Sequence, residues 1–184
     1  MQQAQNDISE LIRGCKRGDR NSQEQLYRAF YKVMVSLCLR YTRQQEDAVE
    51  VLNTGFLKVF QHIDKYEAGK SAFYTWMRAI ILNSCLDFIR KRSREITYIK
   101  EEYNGDVYLE PEVLEKMKLD DIMELVHALP PATGAVFNLF AIEGYGHKEI
   151  SGMLNISEGT SKWHLNSARK LLQQQLKKVQ PLHG

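Results

Sequence analysis

The 184-residue chain lacks the features that mark membrane, secreted and enzymatic proteins. No apolar run approaches the length needed to span a bilayer, and the N-terminus has no apolar segment with a basic flank. The sequence therefore predicts a cytoplasmic protein. A glycine-rich phosphate loop, a nucleophile elbow and a metal-ligand spacing are also missing. We therefore expect no enzymatic activity, no cofactor and no metal site.

Cysteine is scarce as well. Cys15, Cys38 and Cys85 show no paired spacing, and each falls among apolar residues on a helical pattern. Intracellular proteins seldom contain disulfides, and a free cysteine packs as a small apolar side chain. The sequence therefore predicts three buried free thiols rather than metal or disulfide chemistry.

The net charge of +2 is small, but charge is unevenly distributed. Residues 1–95 hold 16 basic and 11 acidic residues, residues 96–121 hold 3 and 8, and residues 122–184 hold 6 and 4. No acid follows Glu158. Two basic blocks around an acidic segment favour binding to a polyanion, although a basic run is also compatible with an ordinary solvated face.

Apolar residues recur at helical spacing through most of the chain, without comparable strand alternation. The pattern predicts a helical bundle over residues 1–95, whose last helix runs from about Phe73 to Arg94. Residues 96–118 lose the pattern and gather acids, which is typical of a linker. The pattern returns over residues 119–184. The expected fold is all-α, with an N-terminal helical bundle and a C-terminal helix-turn-helix domain joined by an acidic linker.

The stretch GYGHKEISGMLNISEGTSKWHL, residues 144–165, predicts two helices separated by a tight turn. The first helix is expected from about His147 to Leu154, Asn155-Ile156 makes the turn, and Ser157 is well placed as the N-cap of the second. Two helices joined so closely form a helix-turn-helix unit. The second helix has an expected inward face made of Ser161, Leu165, Ala168 and Leu172.

The other side of this second helix predicts contacts in a DNA major groove. Asn166 and Ser167 are suited to base edges, and Trp163 to thymine methyls or sugars. Other side chains predicted to bind this DNA, mainly through phosphates, are Thr160, Lys162, His164, Arg169 and Lys170. Alternatively, Trp163 covers a neighbouring helix or is merely exposed.

The last helix of the first block also has two distinct faces. Met77, Ile81, Ser84 and Phe88 mark its expected buried side, and Trp76, Asn83, Asp87, Arg90 and Arg94 mark the other. This second face runs from aromatic to basic, which suits unpaired DNA because rings stack on bases and cations follow the backbone. Alternatively, Phe73, Tyr74 and Trp76 are core residues, and Asp87 pairs with Lys91.

Several of these motifs resemble bacterial sigma factors of the extracytoplasmic-function (ECF) type. Residues 129–176 are similar to the promoter-binding C-terminal domain of that family, through the Leu129-Pro130 start, the Glu143-Gly144-Tyr145 corner, the Lys148-Glu149-Ile150 core and the Ser157-Glu158-Gly159-Thr160 cap. DAVEVLNTGFLKVFQHI and FYTWMRAIILNSCLDFIRKR are similar to its N-terminal domain. The likeness covers about residues 20–95 and 119–178.

The resemblance implies a factor that binds core RNA polymerase and promoter DNA. Its C-terminal domain would bind the minus-thirty-five element as duplex, and its N-terminal domain would capture unpaired bases of the minus-ten element. By position, the residues facing polymerase would be Asp47, Glu50, Val51, Asn53, Thr54, Phe56 and Leu57. Those for the melted element would be Lys70, Ser71, Phe73, Tyr74, Trp76, Asn83, Asp87, Arg90 and Lys91. Whether an anti-sigma factor also binds the chain is left open.

The chain departs from the family pattern at several positions. Val49 and Thr54 stand where carboxylates are common, and Trp163 and Ser167 replace small and Arg residues on the second helix of the helix-turn-helix. We therefore expect a different upstream sequence preference.

A stand-alone repressor or activator is the alternative from another class. It would use two-fold symmetry and a palindromic site, and would not need the face from Trp76 to Arg94.

Overall fold

The computed structural model describes residues 2–92 and 119–179, and the surroundings of side chains within residues 7–92 and 123–176. These residues form helices and turns without a strand, which confirms the predicted all-α fold. The predicted linker, residues 96–118, and Arg94 lie outside the described residues. By their contacts, residues group into two compact units, Met1–Cys85 and Leu86–Gly184. The domain ends predicted at residues 95 and 119 stay predictions.

Four helices lie within the described residues 2–92. They are α1, Gln2–Lys16; α2, Arg20–Leu39; α3, Gln45–His62; and α4, Phe73–Arg92, with a 3-10 turn at Ile63–Lys65 after α3. The Asp19 carboxylate caps α2 by accepting the backbone N–H of Ser22 at 3.0 Å. Glu46 and Asp47 lie in the first turn of α3, where negative charge offsets the helix dipole.

Long apolar side chains from α2, α3 and α4 build the N-terminal core. The largest fully buried ones are Leu26, Met34, Leu52, Phe56, Ile63, Met77, Ile81 and Leu82. Each such burial contributes about 1.5–3 kcal/mol. Ser84 is buried with Met77 and Ile81, as predicted for α4, whereas Phe88 is only half-buried. The three cysteines are buried free thiols, which confirms that prediction.

The helices α3 and α4 approach closely at Gly55. A Cβ atom there would lie 2.9 Å from Ile81 Cγ1 and 3.3 Å from Ile81 Cα. Because a packed core yields little, a larger residue would push the helices apart. Glycine at position 55 therefore sets the spacing between α3 and α4.

Four helices lie within the described residues 119–179. They are α5, Leu119–His127; α6, Pro131–Phe137; α7, His147–Leu154; and α8, Glu158–Val179, with a π-helical turn at Asn138–Ile142 after α6. Pro131 occupies the first turn of α6, where its missing N–H is not needed. Val126, Leu129, Ala168 and Leu172 form one buried apolar cluster. None of the helices in the described parts of the chain is long and apolar enough to cross a membrane.

Candidate nucleic-acid and polymerase interfaces

A tight turn joins α7 to α8. Asn155 adopts the left-handed conformation, with φ 55° and ψ 48°, which asparagine tolerates better than most residues. The N–H of Ile156 donates to the Ser151 carbonyl at 3.0 Å, and Ser157 Oγ accepts the N–H of Thr160 at 2.9 Å. The helix over His147–Leu154, the turn and the Ser157 cap are therefore confirmed.

Two histidine hydrogen bonds fasten α8 to α6 and α7. His164 Nδ1 lies 3.0 Å from Thr133 Oγ1, and His147 Nδ1 lies 2.9 Å from Ser161 Oγ. His164 is 6% exposed, and burial lowers its pKa to about 4, so its ring is neutral at pH 7. A buried, neutral ring does not favour the predicted contact of His164 with a DNA phosphate, which stays a prediction. No group of three or more His, Cys, Asp or Glu among the described residues could hold a metal ion.

The inward face of α8 is confirmed, since Ser161, Leu165, Ala168 and Leu172 are all buried. Asn166 was predicted on the outward side, but it is only 6% exposed and has an interaction within the chain. A buried amide is stable when its polar atoms are hydrogen-bonded, and Asn166 presents little surface to a base edge. The expectation that Asn166 is open to DNA is therefore wrong for this structure.

Four of the predicted upstream contacts keep exposed surface on α8. Lys162 and Lys170 are exposed, and Trp163 and Ser167 are half-buried. The Trp163 ring packs edge-on against that of His164, with centroids 4.9 Å apart. We name Lys162, Trp163, Ser167 and Lys170 the α8 face.

Two further predicted contacts are partly engaged within the protein. The Thr160 hydroxyl lies 2.9 Å from Ser157 Oγ, at the start of α8. The guanidinium carbon of Arg169 lies 6.0 Å from the centroid of the Phe140 ring, at the limit for a cation–π contact. Both residues are half-buried, so they border the α8 face.

An aromatic cluster forms where the loop after the 3-10 turn enters α4. The Tyr66 ring lies 5.1 Å from that of Phe73 and 5.4 Å from that of Trp76, between centroids. Phe73 is buried and also lies 5.9 Å from Phe30. The ring of Phe73 thus belongs to the core, as in the alternative interpretation, and its predicted contact with unpaired DNA stays a prediction. Trp76 is half-buried and keeps exposed surface.

Two hydrogen bonds position the loop before α4. Tyr66 OH donates to the Ser71 carbonyl at 3.1 Å, and Lys16 Nζ donates to the Tyr66 carbonyl at 3.0 Å. Lys70 is exposed and pairs with Glu67 at 3.0 Å. The loop residues predicted to bind DNA, Lys70 and Ser71, thus lie on a positioned loop. Sequence reasoning missed Tyr66 and Lys16 because a lysine 50 positions away gives no local signal.

The outer side of α4 carries exposed Asn83 and half-buried Trp76, Asp87 and Arg90, with exposed Lys91 beside them. The Asp87 carboxylate accepts from the Arg90 guanidinium, three residues on. Tyr74 is 41% exposed but lies about 160° around the helix from Trp76, at 100° per residue. Tyr74 therefore does not share this side of α4.

The residues predicted to face polymerase lie on two sides of α3. Asp47, Val51 and Phe56 are buried, so they offer little surface to a partner, and their predicted contact with polymerase stays a prediction. The Phe56 ring lies in the core, 4.7 Å from that of Tyr27 between centroids. The remaining residues, Glu50, Asn53, Thr54 and Leu57, are all exposed. Spaced by three and four positions, they line one side of the helix, and we name them the α3 stripe.

Comparison with known families agrees with both halves of this architecture. Residues 26–95 match Sigma-70 region 2, and residues 119–172 match Sigma-70, region 4. The chain is 23% identical over 184 residues to the ECF RNA polymerase sigma-E factor of Haemophilus influenzae, covering 94% of this chain and 95% of that protein. It is 25% identical over 183 residues to the ECF RNA polymerase sigma factor SigW of Bacillus subtilis, covering 92% and 97%.

A solved structure shares the fold. The sigma factor RpoE of Bartonella quintana, crystallised with the anti-sigma factor NepR, is 20% identical and superposes with a TM-score of 0.51, over 85% of this chain and 96% of that one. Since the two region matches together cover most of the chain, and full-length relatives carry the same family name, the chain belongs to the ECF sigma factors of RNA polymerase, which are non-catalytic factors of transcription initiation.

Proposed function

We propose that this sigma factor, bound to core RNA polymerase, reads the upstream promoter element as duplex through α8 and captures unpaired bases of the downstream element through α4. The observation that carries the proposal is the Trp76 ring, which keeps exposed surface at the start of α4, on the same side as Asn83. Because sigma factors of RNA polymerase act in the cytoplasm, the proposal also places the chain there. The matches to Sigma-70 regions 2 and 4 favour a sigma factor over the alternative, a stand-alone repressor or activator.

The α8 face supports duplex binding. Lys162 and Lys170 bring positive charge to a helix whose described residues after Glu158 contain no acid. Trp163 and Ser167 lie beside Lys170 on the helix surface and can reach base edges or thymine methyls. The two lysines fix the position of α8 along the DNA backbone, and Trp163 and Ser167 supply the sequence preference.

The outer side of α4 supports the capture of unpaired bases. Trp76 offers a ring for stacking, Asn83 an exposed amide for a base edge, and Lys91 a cation for the backbone. The cluster with Tyr66 and Phe73 holds the Trp76 ring in place, so little side-chain entropy is lost on stacking.

The energetics require the polymerase. Opening about ten base steps costs on the order of 14 kcal/mol, at ~1.4 kcal/mol per step. Stacking contributes about 1–3 kcal/mol per base, so a few contacts offset only part of that cost. The factor therefore traps bases that open transiently, and the polymerase contributes the remaining contacts.

The α3 stripe is the proposed polymerase contact. Leu57 is 58% exposed and lies among Glu50, Asn53 and Thr54, so an apolar centre is surrounded by polar groups. That arrangement is typical of a protein-binding site. An anti-sigma factor, the kind of partner named for the Bartonella protein, would inhibit this chain most directly by covering the stripe.

The test compares Trp76→Ala with Trp76→Phe in reconstituted holoenzyme at a cognate promoter. We expect the alanine variant to form about tenfold fewer open complexes by permanganate footprinting, because a stacking surface worth about 1–3 kcal/mol is lost. Phenylalanine keeps a ring and should recover most of the signal.

Co-elution with core polymerase and the melting temperature serve as controls in the same experiment. Both are measured for the two variants: polymerase binding should be unchanged in each, and the melting temperature of Trp76→Ala shows whether that variant is folded. Undiminished promoter melting in a folded Trp76→Ala protein would contradict the proposed role of α4.

A further inference from the structure

Two of the three cysteines meet in the core of the N-terminal unit. Cys38 lies near the end of α2 and Cys85 in α4, 47 positions apart in sequence. Their Sγ atoms are 3.8 Å apart, with the Cys85 thiol donating to Cys38. Both side chains have no exposed surface. The remaining cysteine, Cys15, is buried on α1 and is not part of the pair.

We propose that Cys38 and Cys85 form an oxidation site, a dithiol that peroxides convert to an intramolecular disulfide between α2 and α4. The two sulfurs already touch, and the bond requires them to approach to about 2.05 Å. The site lies in the core of the N-terminal unit, and its oxidation does not depend on how the chain recognises a promoter.

The chemistry needs only a peroxide as co-reactant. The thiolate of one cysteine attacks the O–O bond of hydrogen peroxide, forming a sulfenic acid and releasing water after proton transfer. The sulfur of the second cysteine then attacks the sulfenic sulfur, the S–S bond forms, and a second water leaves. Two thiols and one hydrogen peroxide thus give one disulfide and two waters, with sulfur oxidised and peroxide reduced.

Burial slows the oxidation of this site but favours one product, the disulfide between Cys38 and Cys85. The hydrogen bond to Cys38 and burial raise the pKa of the Cys85 thiol, and burial raises the pKa of Cys15 to about 11. Since the thiolate is the reactive form, we expect Cys85 and Cys15 to react slowly with oxidant. Under sustained exposure, a sulfenic acid on Cys38 or Cys85 would meet a thiol rather than solvent.

The disulfide would tie α4 to α2 covalently. Cys85 lies on the side of α4 opposite Asn83 and Asp87, so the bond would hold the helix from its buried side, at the level of these two residues. It would also close a loop that contains all of α3, which lowers the entropy of the unfolded chain. We therefore expect the oxidised N-terminal unit to melt several degrees higher than the reduced one.

The experiment treats the folded full-length chain with hydrogen peroxide, blocks the remaining thiols and maps linked peptides by mass spectrometry. We expect a Cys38–Cys85 peptide pair, lighter by two hydrogen atoms than the separate peptides and released by dithiothreitol. Because the two thiols are held in contact, the amount of the Cys38–Cys85 pair should exceed that of any Cys15-containing link by at least about tenfold. The control variant Cys15→Ser should give the same linked pair and the same rise in melting temperature.

Several outcomes would overturn the inference. They are links through Cys15 in comparable amount, disulfides only between chains, and oxidation beyond the sulfenic acid without a Cys38–Cys85 link. Cys38→Ala should lose both the linked pair and the thermal shift. If that variant does not fold, the Cys15→Ser protein with and without peroxide still decides the question.

Discussion

The N-terminal unit packs mainly long apolar side chains, whereas the C-terminal unit buries a larger share of polar ones. In the described residues, the first core is built around Phe56, Met34 and Met77, while Thr133, Asn138, Ser161, His164 and Asn166 are buried in the second. The helices α6 and α7 have only 7 and 8 residues, so they offer little apolar area. Side-chain hydrogen bonds such as those of His164 and His147 therefore orient α8 where apolar packing alone is insufficient.

The two units also present different recognition surfaces. The α3 stripe places an apolar side chain, Leu57, among polar groups, which suits a protein partner. The α8 face carries two lysines as well as Trp163 and Ser167, which suits a polyanion. Stability and recognition should therefore respond to different perturbations in the two units.

The largest effect should come from the N-terminal core. We expect Phe56→Ala to lower the free energy of unfolding by about 3–5 kcal/mol, because a large buried ring leaves a cavity. Leu57→Ala, one position along on the exposed side, should change stability by less than about 0.5 kcal/mol but weaken binding to core polymerase. Urea denaturation and co-elution measure the two quantities. Equal stability losses in the two variants would remove the distinction between the sides of α3.

A smaller effect is expected from pH, which should change the stability of the C-terminal unit through His164. Folded His164 has a pKa of about 4, whereas in the unfolded chain it titrates near 6.5, so protons bind the unfolded state preferentially between these values. The C-terminal unit should keep full stability above pH 6.5 and lose on the order of 3 kcal/mol as the pH falls to about 4. The fluorescence of Trp163, isolated by Trp76→Phe, reports unfolding of this unit.

The matched control is His164→Asn, which removes the titrating ring and should flatten the pH dependence between pH 4 and 6.5. Thermal melts followed in the same Trp76→Phe background allow the comparison. An unchanged slope in His164→Asn would assign the acid sensitivity to other groups.

The smallest effect should distinguish two kinds of contact within the α8 face. Lys162→Ala should weaken holoenzyme binding about equally for all upstream sequences and reduce the salt dependence by roughly one phosphate contact. Ser167→Ala should change the preferred base at one upstream position, with about 1 kcal/mol of discrimination lost. Binding-site selection at several salt concentrations separates the two. A uniform loss in both variants would show that Ser167 does not read a base.

Local signals were sufficient for the helices, the turn at Asn155 and the Ser157 cap, because each depends on residues a few positions apart. The burial of His164 was not predictable in this way, since its partner Thr133 lies 31 positions earlier. On α3, a helical projection at 100° per residue separates buried Val51 and Phe56 from the stripe, but carrying residues over by position mixed the two sides.

The contact between Cys38 and Cys85 belongs to the same class of features that spacing does not reveal. It depends on how α2 packs against α4, which many apolar residues determine together. The burial of Phe73 likewise follows from Phe30 and Tyr66 rather than from its own position at the start of α4.

The absence of a side chain at Gly55 has a mechanical consequence. The helix that carries the proposed polymerase stripe and the helix that carries the proposed base-stacking ring touch there almost backbone to backbone, with Ile81 as the point of contact. If binding to the polymerase displaced α3, α4 would move with it, because few rotatable side-chain bonds lie between the two helices to absorb the displacement. Binding to the polymerase and the placement of Trp76 on DNA would then be coupled, because no side chain at Gly55 separates the two helices.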